Sequence, residues 1–274
     1  MQKYHVEDHE TSLLPDGGKW KLVWSDEFDG TELDRTKWDF RLYMMGKRHR
    51  TWDEGGVKLD GNSNAVFSIF EKNGEICSSQ IQTGSNYMDA PPAERDCWNG
   101  GLVWPIGKIK ESKFLHRYGY YECRCKLQKK AGWWSAFWLQ SPTIGSSLNP
   151  EYSGVENDIM ESFRPGKIIS HNNHYNGYGE DHECVSAGKG MELNVDEWHI
   201  FGMSWDENGY TFYVDGIEDG HIDEPVSKIP QFILLSTEVN GYRAKEKQAT
   251  DEARLAVGDA FIVDYVRVFD KIED

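Results

Sequence analysis

Apolar and polar residues alternate along most of this chain in short runs and do not recur at helical spacing. Gly119 to Gln128 (GYYECRCKLQ), Trp133 to Gln140 (WWSAFWLQ), Trp198 to Trp205 (WHIFGMSW), Tyr210 to Asp215 (YTFYVD), Phe232 to Val239 (FILLSTEV) and Phe261 to Phe269 (FIVDYVRVF) are rich in aromatic and β-branched residues. Gly, Pro, Asn or Asp bounds each run, as expected of short strands. Asp206-Glu207-Asn208-Gly209 joins two of them and predicts a tight hairpin, because Asn and Gly tolerate positive φ. Asp34 to Arg41 is predicted as a short helix capped by Asp34, and no longer helical pattern is present. Many short strands with regular turns predict an all-β fold, an antiparallel sandwich or jelly roll. No linker, repeat or low-complexity segment divides the chain, so residues 1–19 are read as an N-terminal extension and 20–270 as one domain.

Charge narrows the function classes. Thirty Lys and Arg against 46 Asp and Glu give a formal charge of −16. A chain this acidic, with no basic tract, is unsuited to binding nucleic acid or an anionic membrane. No apolar run approaches the roughly 20 residues needed to span a bilayer, and Met1 to Glu7 carry no apolar stretch of the signal-peptide type. A cytoplasmic location is expected if this is the full-length chain, and a secreted or periplasmic one if a leader has been removed. A monomer is expected. Five cysteines (Cys77, Cys97, Cys123, Cys125, Cys184) match no metal-ribbon spacing. Cys123 and Cys125 should share one strand face and pack as buried thiols.

The segment richest in chemistry is Gly154 to Phe163 (GVENDIMESF), where three carboxylates interrupt an otherwise strand-like pattern. In a regular strand Glu156 and Asp158 share a face and Glu161 falls on the other. A β-bulge near Ile159 or Met160 would return Glu161 to the same face. Two carboxylates flanking a glycosidic bond hydrolyse it when one is an ionised nucleophile and the other an acid of raised pKa. Asp158 between them would help hold the two pKa values apart. The same acids are also calcium ligand types, or the solvated face of a strand.

The wording Glu156-Asn157-Asp158-Ile159-Met160-Glu161, with Tyr118 to Leu127 and Gly132 to Leu139 before it, resembles glycoside hydrolase family 16. Trp24-Ser25-Asp26-Glu27-Phe28-Asp29-Gly30 is similar to that family's opening strand, and Asp264 to Phe269 to its closing strand, so the likeness runs from about residue 20 to 270. The resemblance implies a concanavalin A-like β-jelly roll whose concave sheet forms an open sugar cleft, and a retaining double displacement. It implies Glu156 as nucleophile, Asp158 as its helper and Glu161 as acid/base. The two-residue spacing between Asp158 and Glu161 resembles the laminarinases, agarases, porphyranases, carrageenases and endo-β-galactosidases, and sets lichenases and xyloglucan enzymes aside. Asn157 departs from the family, which has an apolar residue there. It should point into the sandwich, where its amide needs partners.

The remaining site expectations follow the same strands. Trp134, Ala136 and Trp138 share one face and Trp133, Ser135 and Phe137 the other. The resemblance selects Trp134 and Trp138 as cleft platforms, and Trp133 is left to the core. Trp52 and Trp104, in Gly-containing loop-like stretches, are candidates for outer subsites. His171 and His174 fall on opposite faces of a strand, so they form no metal pair. His174 matches the family's cleft histidine. Ser236, Glu238 and Asn240 alternate onto one face, where Glu238 and Asn240 would bind sugar hydroxyls if that face is the cleft. Arg48, Arg50 and Arg164 are candidates for anionic sugar groups. Catalysis is expected to need no cofactor, and the family's structural calcium would fall at Glu27 and Asp264. The expected partner is a polysaccharide or oligosaccharide. The expected function is endo-cleavage of a β-galactan or related β-glycan, with a β-1,3-glucanase, a non-catalytic carbohydrate-binding sandwich and a calcium-dependent adhesion module as the other readings.

Overall fold

A computed structural model of the protein describes residues 1–87, 89, 110–243, 245 and 247–272. Two antiparallel sheets, of nine and eight strands, face each other. The first runs in the order Glu183–Ala187, His171–Tyr175, Glu156–Arg164, Trp133–Gln140, Phe232–Val239, Gln80–Gln82, Asp39–Phe40, and Lys167–Ile168 also pairs with Glu156–Arg164 and with Met191–Glu192. The second runs Ile217–Ile222, Gly209–Val214, His199–Asp206, Gly119–Lys126, Ala260–Ile272, Ala65–Ser68, Val57–Leu59, and Lys19–Asp26 also pairs with Ala260–Ile272.

Alternation decides what each strand buries. Phe137, Leu139, Ile159, Met160, Ile233 and Leu235 of the first sheet pack against Tyr121, Cys123, Cys125, Phe201, Met203, Val266 and Val268 of the second. Cys123 and Cys125 share the inner face, fully buried. The outer face of the eight-stranded sheet is covered by the N-terminal segment, where Gln2–Tyr4 pairs with Ser12–Leu14. Leu14 packs on Tyr120 and Phe269. The Leu13 amide donates to Glu122 at 2.9 Å, so residues 1–19 form part of the folded unit.

Three local expectations change. The predicted helix from Asp34 is a single turn: Asp34 caps it through Thr36 N at 2.8 Å, but Trp38 is fully buried and Asp39–Phe40 already pairs as a strand. Tertiary pairing and burial override the local signal. The hairpin forms with Asp206 opposite Gly209, yet only Gly209 has positive φ, at 145°. A Cβ there would lie 2.4 Å from the Ile222 carbonyl oxygen, so the glycine is required by close approach. Short helices Pro150–Ser153 and Asp251–Leu255 lack the periodicity that would announce them and are held by Asn149 and Thr250 caps.

Candidate active site

The pairing of Trp133–Gln140 with Glu156–Arg164 shifts register between Phe137 and Trp138, which face Met160 and Asp158 respectively. Ile159 is the extra residue, and Ile159 and Met160 both enter the core. The bulge places Glu156, Asp158 and Glu161 on one face, at the floor of a cleft of about 550 Å³. Glu156 stands opposite His174 on the neighbouring strand. His174 Nε2 lies 3.2 Å from Asp158 Oδ2, and its Nδ1 lies 2.9 Å from Nε2 of His182.

Each terminal glutamate is pushed towards its neutral form, for different balances of reasons. Glu156 rises to about 7, chiefly by burial and then by the Asp158 charge, opposed by His174, Tyr178 and Arg41. Glu161 is raised well above the usual carboxylate range by burial and by both neighbouring acids, opposed by Asn172 and Arg243. Oε2 of Glu156 accepts from both Gln140 and Tyr178, which favours its anion, so Glu161 is the better proton holder. For His174, burial works against the charged ring, but the hydrogen bond and charge of Asp158 outweigh it and raise its pKa. Glu156, Asp158 and His174 offer ligand atoms within 4.8 Å of one another. Those atoms already accept from or pair with one another, Tyr178 and Gln140, so the group reads as an acid cluster of a reaction.

The cleft walls carry most of the expected side chains. Trp134, Ala136, Trp138, Ser236 and Glu238 line it with the three acids and His174. Trp138 donates through Nε1 to Ser236 Oγ at 2.9 Å, which fixes its ring. Trp134 stacks on Phe163, ring centres 5.2 Å apart. Trp133 is fully buried in the core, its Nε1 donating to Asp259 at 3.1 Å. His171 is buried on the opposite side from His174, stacked on Phe212 with ring centres 4.5 Å apart.

Other expectations need correction. Asn240 lies in the turn after the strand, outside the cleft lining, with its backbone bonded to Gly132 and Thr250. Strand alternation cannot be extended past Val239, where pairing ends. Trp52 is 1% exposed and stacked on His49, so its faces are closed to sugar. Trp104 lies outside the described residues. Glu238 is buried and bound bidentately by Arg243 at 2.6 and 2.7 Å, which leaves its oxygens committed. Arg48, Arg50 and Arg164 are exposed and none lines the cleft. The cleft arginines are instead Arg41 and Arg243. Arg41 lies 5.1 Å from both the Trp52 and Trp138 rings and pairs with Asp89 at 2.6 Å. Arg243 covers Trp134 at 5.2 Å. Glu27 does not fit a calcium site, because both its oxygens accept from Arg267 at 3.0 and 2.7 Å. Asp264 is likewise taken by Arg124 at 2.5 Å, so the two acids offer no surplus of negative charge to a hard cation.

Two further residues act on the acids. Gln140 continues the alternation of Trp134, Ala136 and Trp138 by one step, so it was findable from sequence. Tyr178, in Asn176-Gly177-Tyr178-Gly179, follows the strand of His174 and had no signal beyond its flanking glycines. Arg41 and Arg243 sit in loops with no pattern at all.

The family model "Beta-porphyranase A-D, GH16 domain" matches residues 20–271. Beta-porphyranase C of Zobellia galactanivorans is 30% identical over 237 residues, covering 74% of this chain and 64% of that protein. Glucan endo-1,3-beta-glucosidase A1 of Niallia circulans is 26% identical over 206 residues, covering 71% of this chain and 28% of that protein. The chain therefore spans less than two thirds of both relatives. Among solved structures, the laminarinase of Flavobacterium sp. UMI-01 superposes with a TM-score of 0.64 at 19% identity, over 91% of this chain and all of that one, which supports the jelly-roll fold. Taken with the bulged carboxylate strand in its open cleft, these matches place the chain in glycoside hydrolase family 16, among the β-porphyranase A–D domains.

Proposed function

We propose that this domain is a retaining, endo-acting glycoside hydrolase that cleaves internal β-linkages of a polysaccharide. The observation that carries the reading is the Ile159 bulge, which sets Glu156 and Glu161 on one face with their ionisation pushed apart from that of ordinary carboxylates. Glu161 gives its proton to the glycosidic oxygen while a Glu156 carboxylate oxygen bonds to the anomeric carbon and the leaving chain departs. Glu161, now ionised, takes a proton from water. That water attacks the anomeric carbon and releases Glu156 as carboxylate, with retained configuration. Asp158 stands between the two acids and engages His174, so it orients that pair and contributes to keeping the proton on Glu161. Trp134 and Trp138 line the cleft and supply the aromatic surface against which sugar C–H groups would pack.

For substrate we favour a β-galactan with few anionic groups. The porphyranase-domain match supports the galactan. The low anionic content is supported by a formal charge of −16 and by cleft arginines already paired to Asp89 and Glu238. A β-1,3-glucan is the second reading, supported by the similarity to a glucan endo-1,3-beta-glucosidase. A purely binding sandwich is disfavoured, because such a module has no use for three crowded acids. The test is a panel of agarose, porphyran, keratan sulfate and laminarin, digested by wild type and Glu156→Gln and resolved chromatographically. Oligosaccharides from a galactan with wild type alone are expected. Products from laminarin alone would overturn the galactan assignment, and binding without cleavage of any member would overturn the enzyme reading.

A further inference from the structure

Glu156 is met by more donors than nucleophilic attack requires. Oε2 accepts from Gln140 Nε2 at 2.8 Å and from the Tyr178 hydroxyl. Gln140 Nε2 also lies 2.6 Å from that hydroxyl, which closes a triangle of Glu156, Gln140 and Tyr178. The amide of Gln140 cannot turn over freely, because its Oε1 accepts from Asn86 Nδ2 and Asn86 in turn accepts from the Asp89 backbone amide at 2.8 Å. Gln140 and Asn86 are each about 1% exposed, so water does not compete for these bonds. The result is a built chain that ends on one oxygen of one carboxylate.

Resting on the proposed function, we infer that Tyr178 and Gln140 are positioning residues for the nucleophile: they hold Oε2 of Glu156 and leave Oε1 as the attacking atom. The two oxygens then have separate tasks. Oε1 forms the bond to the anomeric carbon as Glu161 delivers its proton to the departing oxygen. In the glycosyl-enzyme Oε2 is the ester carbonyl oxygen, and the Tyr178 and Gln140 donors stay on it. When water, deprotonated by Glu161, attacks the anomeric carbon, the C–Oε1 electron pair returns to the carboxylate. The same donors then stabilise the negative charge that reappears there. Both half-reactions therefore use the clamp, and the second depends on it more because Glu156 is its leaving group.

The clamp also acts on the ground state of Glu156. The charged and titratable groups facing that carboxylate are Asp158 and Glu161 on its own strand, His174 on the next, Tyr178 on the following loop, and the cleft arginines Arg41 and Arg243. Asp158 favours the neutral acid, whereas His174, Tyr178 and Arg41 favour the anion. Removing the Tyr178 hydroxyl deletes a donor to the anion and leaves the other groups in place.

Two measurements test this. Isotope-edited NMR of glutamate carboxyl carbons, with Glu156→Gln to assign the signal, reads the titration of Glu156 without any substrate. Tyr178→Phe is expected to raise its apparent pKa by about 1 to 2 units, as for loss of one hydrogen bond to a charged group. On the polysaccharide that the wild type cleaves, the same variant should lower kcat roughly 10- to 100-fold with KM changed less than about 3-fold, and move the acidic limb of the pH profile upward by the same interval. Gln140→Met should do the same to a smaller extent, and it stands in if Tyr178→Phe does not fold. Wild-type titration and wild-type kcat in the folded variants would overturn the clamp. If the wild type cleaves nothing while the titration moves as expected, it is the proposed function that fails and the clamp's hold on Glu156 that stands.

Discussion

Asn157 and Asn173 are fully buried and directly opposite each other on the strands that carry Glu156 and His174. Asn157 Nδ2 donates to Asn173 Oδ1 at 2.7 Å, inside the sandwich. Asn157→Val removes the donor and leaves the Asn173 side-chain oxygen unpaired where water cannot reach it. The structure assigns this a cost of about 1–3 kcal/mol, the desolvation penalty of a buried polar group left unpaired. At roughly 2–4 °C per kcal/mol for a domain of this size, the melting temperature should fall by about 2–12 °C. Asn157→Val combined with Asn173→Val leaves two apolar side chains in contact, and most of that loss should be regained. The assay is a double-mutant cycle by thermal unfolding, with the rate on the cleaved polysaccharide measured alongside. The pair fixes the register of His174 against Glu156, so the double variant should recover rate together with stability. A neutral single variant, or a double variant no more stable than the worse single, would refute the argument.

Other outcomes follow from the same geometry. The profile of kcat/KM against pH should rise through the ionisation of Glu156, at about 7, because only its anion attacks. It should fall as Glu161 ionises, and Glu161→Gln should remove that alkaline limb along with most of the activity. Glu122, buried under the N-terminal hairpin, is raised from 4.5 to about 7 by burial, against hydrogen bonds from Tyr265 and Leu13. Folding therefore takes up a proton in that interval, stability falls as pH rises through it, and the melting temperature of Glu122→Gln should gain on wild type between about pH 5 and 8. A constant difference would show that Glu122 is ionised when folded. Trp134→Ala should raise KM roughly 3- to 10-fold with kcat less affected, since it removes an aromatic platform stacked on Phe163. An unchanged KM would place the sugar elsewhere.

How much the sequence disclosed depends on how local each signal is. Alternation separated Trp133 from Trp134 and Trp138, and the faces of His171 and His174, because strand period is a property of the backbone itself. The bulge at Ile159 was legible because three acids would otherwise straddle two faces. Alternation failed at Asn240, where the strand stops, and it could not foresee that Arg243 would occupy Glu238. Arg41 reaches the cleft only because Asp39–Phe40 pairs with Gln80–Gln82, and Tyr178 only because its loop folds back over Glu156. Such long-range placements leave no mark on neighbouring residues. Glu27 and Asp264 matched a calcium pattern by position, yet Arg267 and Arg124, which the pattern ignores, decide their chemistry.

The most direct measurement is the anomeric configuration of the first product, followed by proton NMR during hydrolysis of the polysaccharide that the panel identifies. If Glu156 attacks and Glu161 serves as acid and then base, the β-anomer appears first and the α-anomer grows in only by mutarotation. An α-anomer formed first would mean that water attacks directly, and would contradict the account of this carboxylate strand.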